Sequence, residues 1–349
     1  MTALCRHFGV CGGCAHQGMT EYRAFKRSLV VDALARHNIE AVVEDAVEVA
    51  PATRRRATFK ALKGEGGVAL GFMAARTHDI VDLRECLVLT PRLAALVARL
   101  RGMLAALLGD GEAAELRLAD TDTGVDLSLR WQRASDAATV AELARWATEL
   151  KLARVARHGE TLIELARPCV RFGKADVFVP SEAFLQPTRQ GEAALQAFVL
   201  TALSGAKHVA DLFAGCGTFA LPLAERARVH AVEIEGSMLE ALAAAARTAS
   251  GLKRVTVEKR NLFRRPLGES ELSAFDAVAL DPPRVGALAQ VQALVRSKVK
   301  RVAYVSCDAE SFARDARVMV DHGFRLGSVV PVDQFLWSSH IELAASFER

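Results

Sequence analysis

Three short stretches bring reactive side chains to what the flanking sequence marks as the ends of β-strands: Asp281-Pro282-Pro283-Arg284 after DAVAL, Ser306-Cys307-Asp308 after RVAYV, and His340-Ile341-Glu342. An open α/β sheet presents its reacting groups at the carboxyl ends of its strands. A cysteine in that position is a candidate covalent nucleophile, and a glutamate within reach of the same pocket is a candidate general base. Two prolines after Asp281 give a rigid, extended turn with no amide donors of its own, which holds that carboxylate at the pocket edge. Taken singly, Cys307 would read as a small buried hydrophobe and Glu342 as a solvated carboxylate. Their joint placement on one rim is what assigns them roles.

A ligand loop belongs to the same rim. In VADLFAGCGTFALPLA, Asp211 ends a strand and Gly215 and Gly217 precede a helix, so the backbone can turn tightly and approach a ligand closely. Glu233, at the end of the next strand, stands where a carboxylate takes ribose hydroxyls, and Asn261 after VTVEKR is placed to reach the adenine or amino-acid end. AGCGTFA has no third glycine, so it is not the dinucleotide fingerprint. Its D-x-F-x-G-x-G-x-F form resembles motif I of class I methyltransferases, which implies S-adenosylmethionine in place of a nicotinamide cofactor.

With a methyl donor in the pocket, the chemistry narrows. Enzymes that methylate exocyclic amines commonly follow Asn/Asp-Pro-Pro with an aromatic residue that stacks on the base; Arg284 stands there instead, which argues against nitrogen methylation. Carbon 5 of uracil is a poor nucleophile until a thiolate adds to carbon 6 and makes an enolate. The carbon 5 proton must then leave before the thiol is eliminated, which needs a base. Cys307 and Glu342 meet those two requirements.

The seven cysteines sort by spacing. An odd count in a reducing compartment points to metal binding or catalysis and away from disulfides. Cys5-x5-Cys11-Gly-Gly-Cys14 places three thiols on a glycine-permissive loop, and Cys86 is the one further cysteine in the N-terminal half. Spacing alone is compatible with zinc or an iron–sulfur cluster. Cys169 and Cys216 have no such setting and read as packing residues.

The elements that must position these groups come next. At 349 residues, 51% hydrophobic and 25% charged, the chain is long enough for two domains and too apolar for a disordered protein. A net charge of +4 permits a basic face without demanding one. The N-terminus has no leader pattern and no apolar run reaches a membrane-spanning length, so the expectation is a cytoplasmic protein without a membrane partner. From Lys207 onward, strand runs HVADLFA, RVHAVEI, VTVEK, DAVALD and RVAYVSC alternate with helix-period stretches, which predicts an α/β fold with a doubly wound parallel sheet and a closing hairpin at its edge. The first half predicts a mixed α+β domain with helices at 22–37 and 91–108 and a hairpin turning at DTDTG. The resulting division is cluster-binding segments at 1–16 and 80–90, an α+β RNA-binding domain at 17–178, and a methyltransferase domain at 179–349.

These motifs together resemble the RNA uracil-5-methyltransferase family, which makes 5-methyluridine in transfer and ribosomal RNA, over nearly the whole chain. Phe184-Leu185-Gln186 sits where that family has Phe-x-Gln before the catalytic domain. The resemblance implies that Gln186, Phe213, Thr218, Glu233, Asn261 and Asp281 line the cofactor and base pocket, with Cys307 as nucleophile and Glu342 as base. It also implies a [4Fe–4S] cluster on Cys5, Cys11, Cys14 and Cys86. The family's loop before the base reads Asp-x-Phe-Pro-x-Thr-x-His-Val-Glu; here Leu336 and Ser338 replace the proline and threonine. No β-barrel precedes Cys5, so the expectation is a monomer of the compact branch acting on 23S rRNA, with the thymidine-loop uridine of tRNA second. Arg54, Arg55 and Arg56, with Lys60 and Lys63 and with Phe59 between, form a basic stretch suited to RNA phosphates. Phe335 and Trp337, beside the base, are candidates to stack on a flipped nucleotide.

Overall fold

The computed structural model describes residues 4–75, 77–132 and 136–349; residues 1–3, at the start of the stretch 1–16 assigned to cluster binding, lie outside the described residues. After a cysteine-bearing loop come helix α1 (Tyr22–Arg36) and the two-residue strand β1 (Val47–Glu48). The first sheet then forms from β2 (Arg56–Gly64), β3 (Gly67–Met73), β4 (Ile80–Asp82), β5 (Ala113–Thr121), β6 (Gly124–Arg130), β7 (Leu152–Arg157) and β8 (Glu160–Glu164), in the order β4-β3-β2-β5-β6-β7-β8. Helix α2 (Pro91–Leu107) joins β4 to β5, and α3 (Ala137–Leu150) carries the chain from β6 to its parallel neighbour β7. The period-2 pattern of β2 explains its seat: Ala57, Phe59 and Ala61 are buried and pack with Leu100 of α2, Leu116, Leu127 and Leu143 of α3. Thr90 starts α2 where proline follows at the first helical position, its hydroxyl accepting the Leu93 N–H. The predicted hairpin turn falls at Asp122-Thr123, between β5 and β6.

A separate hairpin, β9 (Cys169–Phe172) and β10 (Ala175–Phe178), leads to α4 (Arg189–Ala202) and the second sheet. Its members follow in sequence as β11 (His208–Leu212), α5 (Ala220–Ala224), β12 (Arg228–Glu233), α6 (Gly236–Thr248), β13 (Val255–Lys259), α7 (Glu269–Leu272), β14 (Ala277–Leu280), α8 (Leu288–Leu294), β15 (Arg301–Ser306), α9 (Ala309–Asp321), β16 (Arg325–Asp333) and β17 (Glu342–Glu348). Strand order is β1-β16-β17-β15-β14-β11-β12-β13, with β17 antiparallel between β15 and β16. The order reverses between β11 and β14, so their carboxyl ends flank a crevice of the kind that takes ligands in doubly wound sheets. The five strands read from the sequence all form. No helix among the described residues is long and apolar enough to cross a membrane.

Two expectations are corrected. Residues 17–178 do not form one α+β unit, because α1 and β1 join the second sheet: Val30, Ala33 and Leu34 of α1 pack in one core with Tyr304, Phe312, Val329 and Phe347, and β1 pairs in parallel with β16. Burial of such side chains stabilises by roughly 1.5–3 kcal/mol each, enough to fix the helix there. The closing hairpin is not the sheet edge either, since β1 covers β16. Neither outcome is visible in local periodicity, which records that a helix has a buried face and not which core buries it.

Candidate active site

The crevice is built on three strand ends. Cys307 follows β15 in a tight turn, where the Asp308 N–H donates to Ser306 Oγ and the Asp308 carboxylate caps α9 by accepting the Ser311 N–H. Arg284, the last residue of Asp-Pro-Pro-Arg, donates to that same Asp308 carboxylate at 3.0 Å, so the turn after β14 is tied across Cys307's flank. Asp281 directly follows β14, and Glu342 opens β17. Two amides join the carboxylates. Gln186 Nε2 lies 3.3 Å from Asp281 Oδ2, while Gln334 Nε2 donates to Gln186 Oε1 at 2.6 Å and to Glu342 Oε2 at 3.0 Å. Gln186, Gln334 and Glu342 are all buried. Gln334 fits only because residue 191, in the first turn of α4, is glycine: a Cβ there would stand 2.6 Å from Gln334 Oε1.

This crowding sets the proton affinities. Burial pushes Glu342 up to about 7, with the Gln334 hydrogen bond and the Arg56 charge pulling the other way. Asp281 is raised well above the usual carboxylate range by burial, then by Glu342 and Asp211. Burial, then the charges of Glu342, Asp281 and Asp308, pushes the Cys307 thiol up to about 12. The start of α9 favours a thiolate by at most ~2 kcal/mol, and the low-dielectric, acidic surroundings outweigh it.

The glycine loop lies beside this cluster. Gly215 has φ +54 and nothing within 4 Å of where a Cβ would be, an open floor for a ligand. Its N–H donates to Glu233 Oε2 at 3.0 Å, and Glu233 Oε1 accepts from Ile234 and Glu235, so the carboxylate spans the ends of β11 and β12. Phe213 adopts φ +65, uncommon for a residue other than glycine, and its ring meets Phe263 at 5.4 Å. Phe263 is 46% exposed, so the two rings make an apolar lip. Asn261 caps the turn beneath them by accepting the Phe263 and Arg264 N–H groups. Thr218 and Gly217 are packed behind the loop, Gly217 against Leu221 and Leu242. Asp211 is fully buried and pushed up to about 7 by that burial and by Glu233.

The arginine run divides by strand alternation. Arg55 is buried, donates to Glu192 and to the Gln186 carbonyl, and ties the first sheet to α4; the expectation that it meets RNA phosphates is corrected, because the odd residue of three points inward. Arg56 points to the reactive cluster, its guanidinium 4.2 Å from the Phe184 ring and close enough to Glu342 and Cys307 to feel their charge. Arg54 lies 5.9 Å from the Phe335 ring. Phe335 itself lines a cavity of about 470 Å³ that also holds Cys5, Cys11, Cys14 and Cys86. In that cavity Cys14 is pushed up to about 11 by burial and by the neighbouring Cys86, Cys11 and Cys5. Among the described residues no group of three or more His, Cys, Asp or Glu is arranged to hold a single metal ion. Cys169 and Cys216 are buried, and Cys216, inside the glycine loop, packs in a core with Val170, Phe172 and Leu221. Gln334 and Phe263 were not legible beforehand: a loop glutamine carries no periodic signal, and Phe263 was foreseeable only as a neighbour of Asn261.

Residues 173–349 match the family model described as tRNA (Uracil-5-)-methyltransferase. An uncharacterized RNA methyltransferase of Rhizobium meliloti strain 1021 is 42% identical over 353 residues, covering 99% of this chain and 85% of the relative. The 23S rRNA (uracil(1939)-C(5))-methyltransferase RlmD of Salmonella choleraesuis is 32% identical over 367 residues, covering 100% of this chain and 82% of that one. Among solved structures, the Pyrococcus abyssi tRNA (uracil-54, C5)-methyltransferase in complex with S-adenosyl-L-homocysteine has a TM-score of 0.72, covering 93% of this chain and 83% of that chain at 19% identity, a likeness of fold.

Proposed function

The chain belongs to the tRNA (uracil-5-)-methyltransferase family and is an RNA uracil-5-methyltransferase, and from that premise we propose that it makes 5-methyluridine in 23S rRNA with Cys307 as nucleophile and Glu342 as base. The observation that carries the assignment of roles is the bridge Asp281–Gln186–Gln334–Glu342 beside Cys307, which holds two carboxyl groups of raised proton affinity around one thiol. Gly215, Glu233, Phe213 and Asn261 would hold S-adenosylmethionine, which would supply a sulfonium methyl group for carbon 5.

The protein's own groups do the rest. Cys307 gives up its proton to solvent and its sulfur bonds to carbon 6, moving the electron pair of the C5–C6 double bond toward the carbon 4 carbonyl. Asp281, its carboxyl raised well above the usual carboxylate range by burial and by the charges of Glu342 and Asp211, is the proposed donor for the oxygen where that charge collects. After methylation, ionised Glu342 takes the carbon 5 proton; the C–H pair re-forms the double bond and expels the Cys307 thiolate. A base with an affinity near pH 7 suits that task, being ionised in part and still a useful acceptor. Arg54 and Arg56, with Phe335 and Trp337 on the loop before Glu342, are proposed to grip the flipped nucleotide and its phosphates.

The cysteine cavity suits a [4Fe–4S] cluster. Four thiols share it with His7, Glu85 and His340, and the mutual repulsion of the thiols is what a cationic iron core would offset. Cys5, Cys11, Cys14 and Cys86 would then staple the N-terminal loop to the segment after β4.

Replacing Glu342 by Gln tests the assignment. The variant should methylate once, fail to release, and leave a slow-migrating RNA–protein band on a denaturing gel. Absence of that band, or a deletion strain whose 23S rRNA keeps all its 5-methyluridine while its tRNA loses it, would redirect respectively the base or the substrate.

A further inference from the structure

Residues 334–341 join β16 to β17 and end on Glu342, and helix α1, three hundred residues earlier, holds them. Lys26 Nζ lies 2.7 Å from Asp333 Oδ1 and donates to the carbonyls of Phe335 at 3.2 Å and His340 at 2.6 Å, one near each end of the loop. Tyr22, one turn earlier on the same helix face, donates its hydroxyl to Asp333 Oδ2 at 2.5 Å and accepts the Trp337 N–H at 2.6 Å. Trp337 sits at φ +60, a conformation that a bulky residue keeps only when its surroundings impose it. From the other side, the His16 N–H donates to the Trp337 carbonyl at 3.0 Å and the His16 ring meets Ser339 Oγ at 2.8 Å.

A lysine and an aspartate, 1% and 0% exposed, are seldom buried together, because desolvating both offsets most of their attraction. Folding alone gives no reason to keep such a pair at the root of this loop. We propose that Tyr22 and Lys26 are positioning residues for the methylation reaction: their grip fixes the loop so that Glu342 and its partner Gln334 meet carbon 5 in the register that proton abstraction needs. The inference rests on the reading of Glu342 as base. A misplacement of about 1 Å in such a group is enough to slow a reaction by ~100-fold.

The test uses the full chain with its RNA and S-adenosylmethionine, in three variants. Lys26→Met combined with Asp333→Leu removes the ion pair and both carbonyl contacts; exchanging a buried pair for apolar residues of similar volume is often neutral for folding. Tyr22→Phe keeps the pair and removes only the hydroxyl, so it decides the matter should the double variant fail to fold. Glu342→Gln runs alongside. Expected is a fall in kcat of at least about tenfold in the double variant and about threefold in Tyr22→Phe, with S-adenosylmethionine Kd and Tm near those of the unaltered enzyme and the covalent RNA adduct accumulating. Unchanged kcat in the folded variants overturns the proposal, as does a fall in kcat without adduct while KM for RNA rises. If Glu342→Gln itself yields no adduct, the base assignment falls; if it does and the Tyr22 and Lys26 variants do not, this inference alone falls.

Discussion

The hydrogen bond from Gln334 to Glu342 gives a prediction whose size follows from the structure. Gln334 Nε2 donates to Glu342 Oε2 at 3.0 Å in a buried setting, and Glu342 has been pushed up to about 7 in spite of that bond. A hydrogen bond to a charged group contributes about 1.5–3 kcal/mol, and 1.36 kcal/mol corresponds to one pH unit of proton affinity. Replacing Gln334 by Met, similar in length and unable to donate, withdraws support from the ionised form only. The proton affinity of Glu342 therefore rises, to roughly pH 8–9. Since the base works only when ionised, the rate falls as pH drops through its pKa, and the acid limb of the kcat profile should move from near 7 in the unaltered enzyme to about 8–9. At pH 7 the ionised fraction drops from about one half to about 1–10%, a loss of roughly 5–50-fold that is recovered by raising the pH. The assay is transfer of a labelled methyl group to RNA across about pH 5.5–9.5 with both substrates saturating. An acid limb that stays near 7 while the whole profile falls would refute the reasoning, because Gln334 would then be shaping the pocket and not the charge on Glu342.

The arginine run supplies a second contrast. Arg55→Ala leaves Glu192 buried and uncompensated and should cost about 3–5 kcal/mol, seen as a lower Tm, whereas Arg56→Ala, which has no ion pair among the described residues, should change stability by about 1 kcal/mol or less and slow methylation. Equal losses of Tm would put the two side chains in the same role. For the cysteine cavity, protein purified without oxygen should carry about four irons per chain, and Cys14→Ser or Cys86→Ser should lower that content together with Tm. Zinc in its place would assign the cavity to a different metal.

Much of this site could be read without a fold. Asp281 and Cys307 directly follow β14 and β15 where periodicity and flanking residues put them, whereas Glu342, read at the carboxyl end of a strand, opens the antiparallel β17; Gly215 is open to a ligand as its place between strand and helix suggested. Backbone chemistry is local, so a period of two or 3.6 residues, a pair of prolines or a glycine turn announces itself within a dozen residues. The four cysteines line one cavity; spacing grouped Cys5, Cys11 and Cys14, and Cys86 was added as the one further cysteine of the N-terminal half. What the linear chain did not contain was partnership. Whether Arg54, Arg55 or Arg56 faces the thiol depends on which side of β2 packs on α2, and the answer removed Arg55 from the RNA surface. Gln186 and Gln334 became a bridge, and Lys26 the anchor of a loop, through contacts spanning 148 and more than three hundred residues. Proton affinities belong to this second class: burial and neighbouring charge decide whether Glu342 is a spectator or a base poised near neutrality, and both exist only once the strands have assembled.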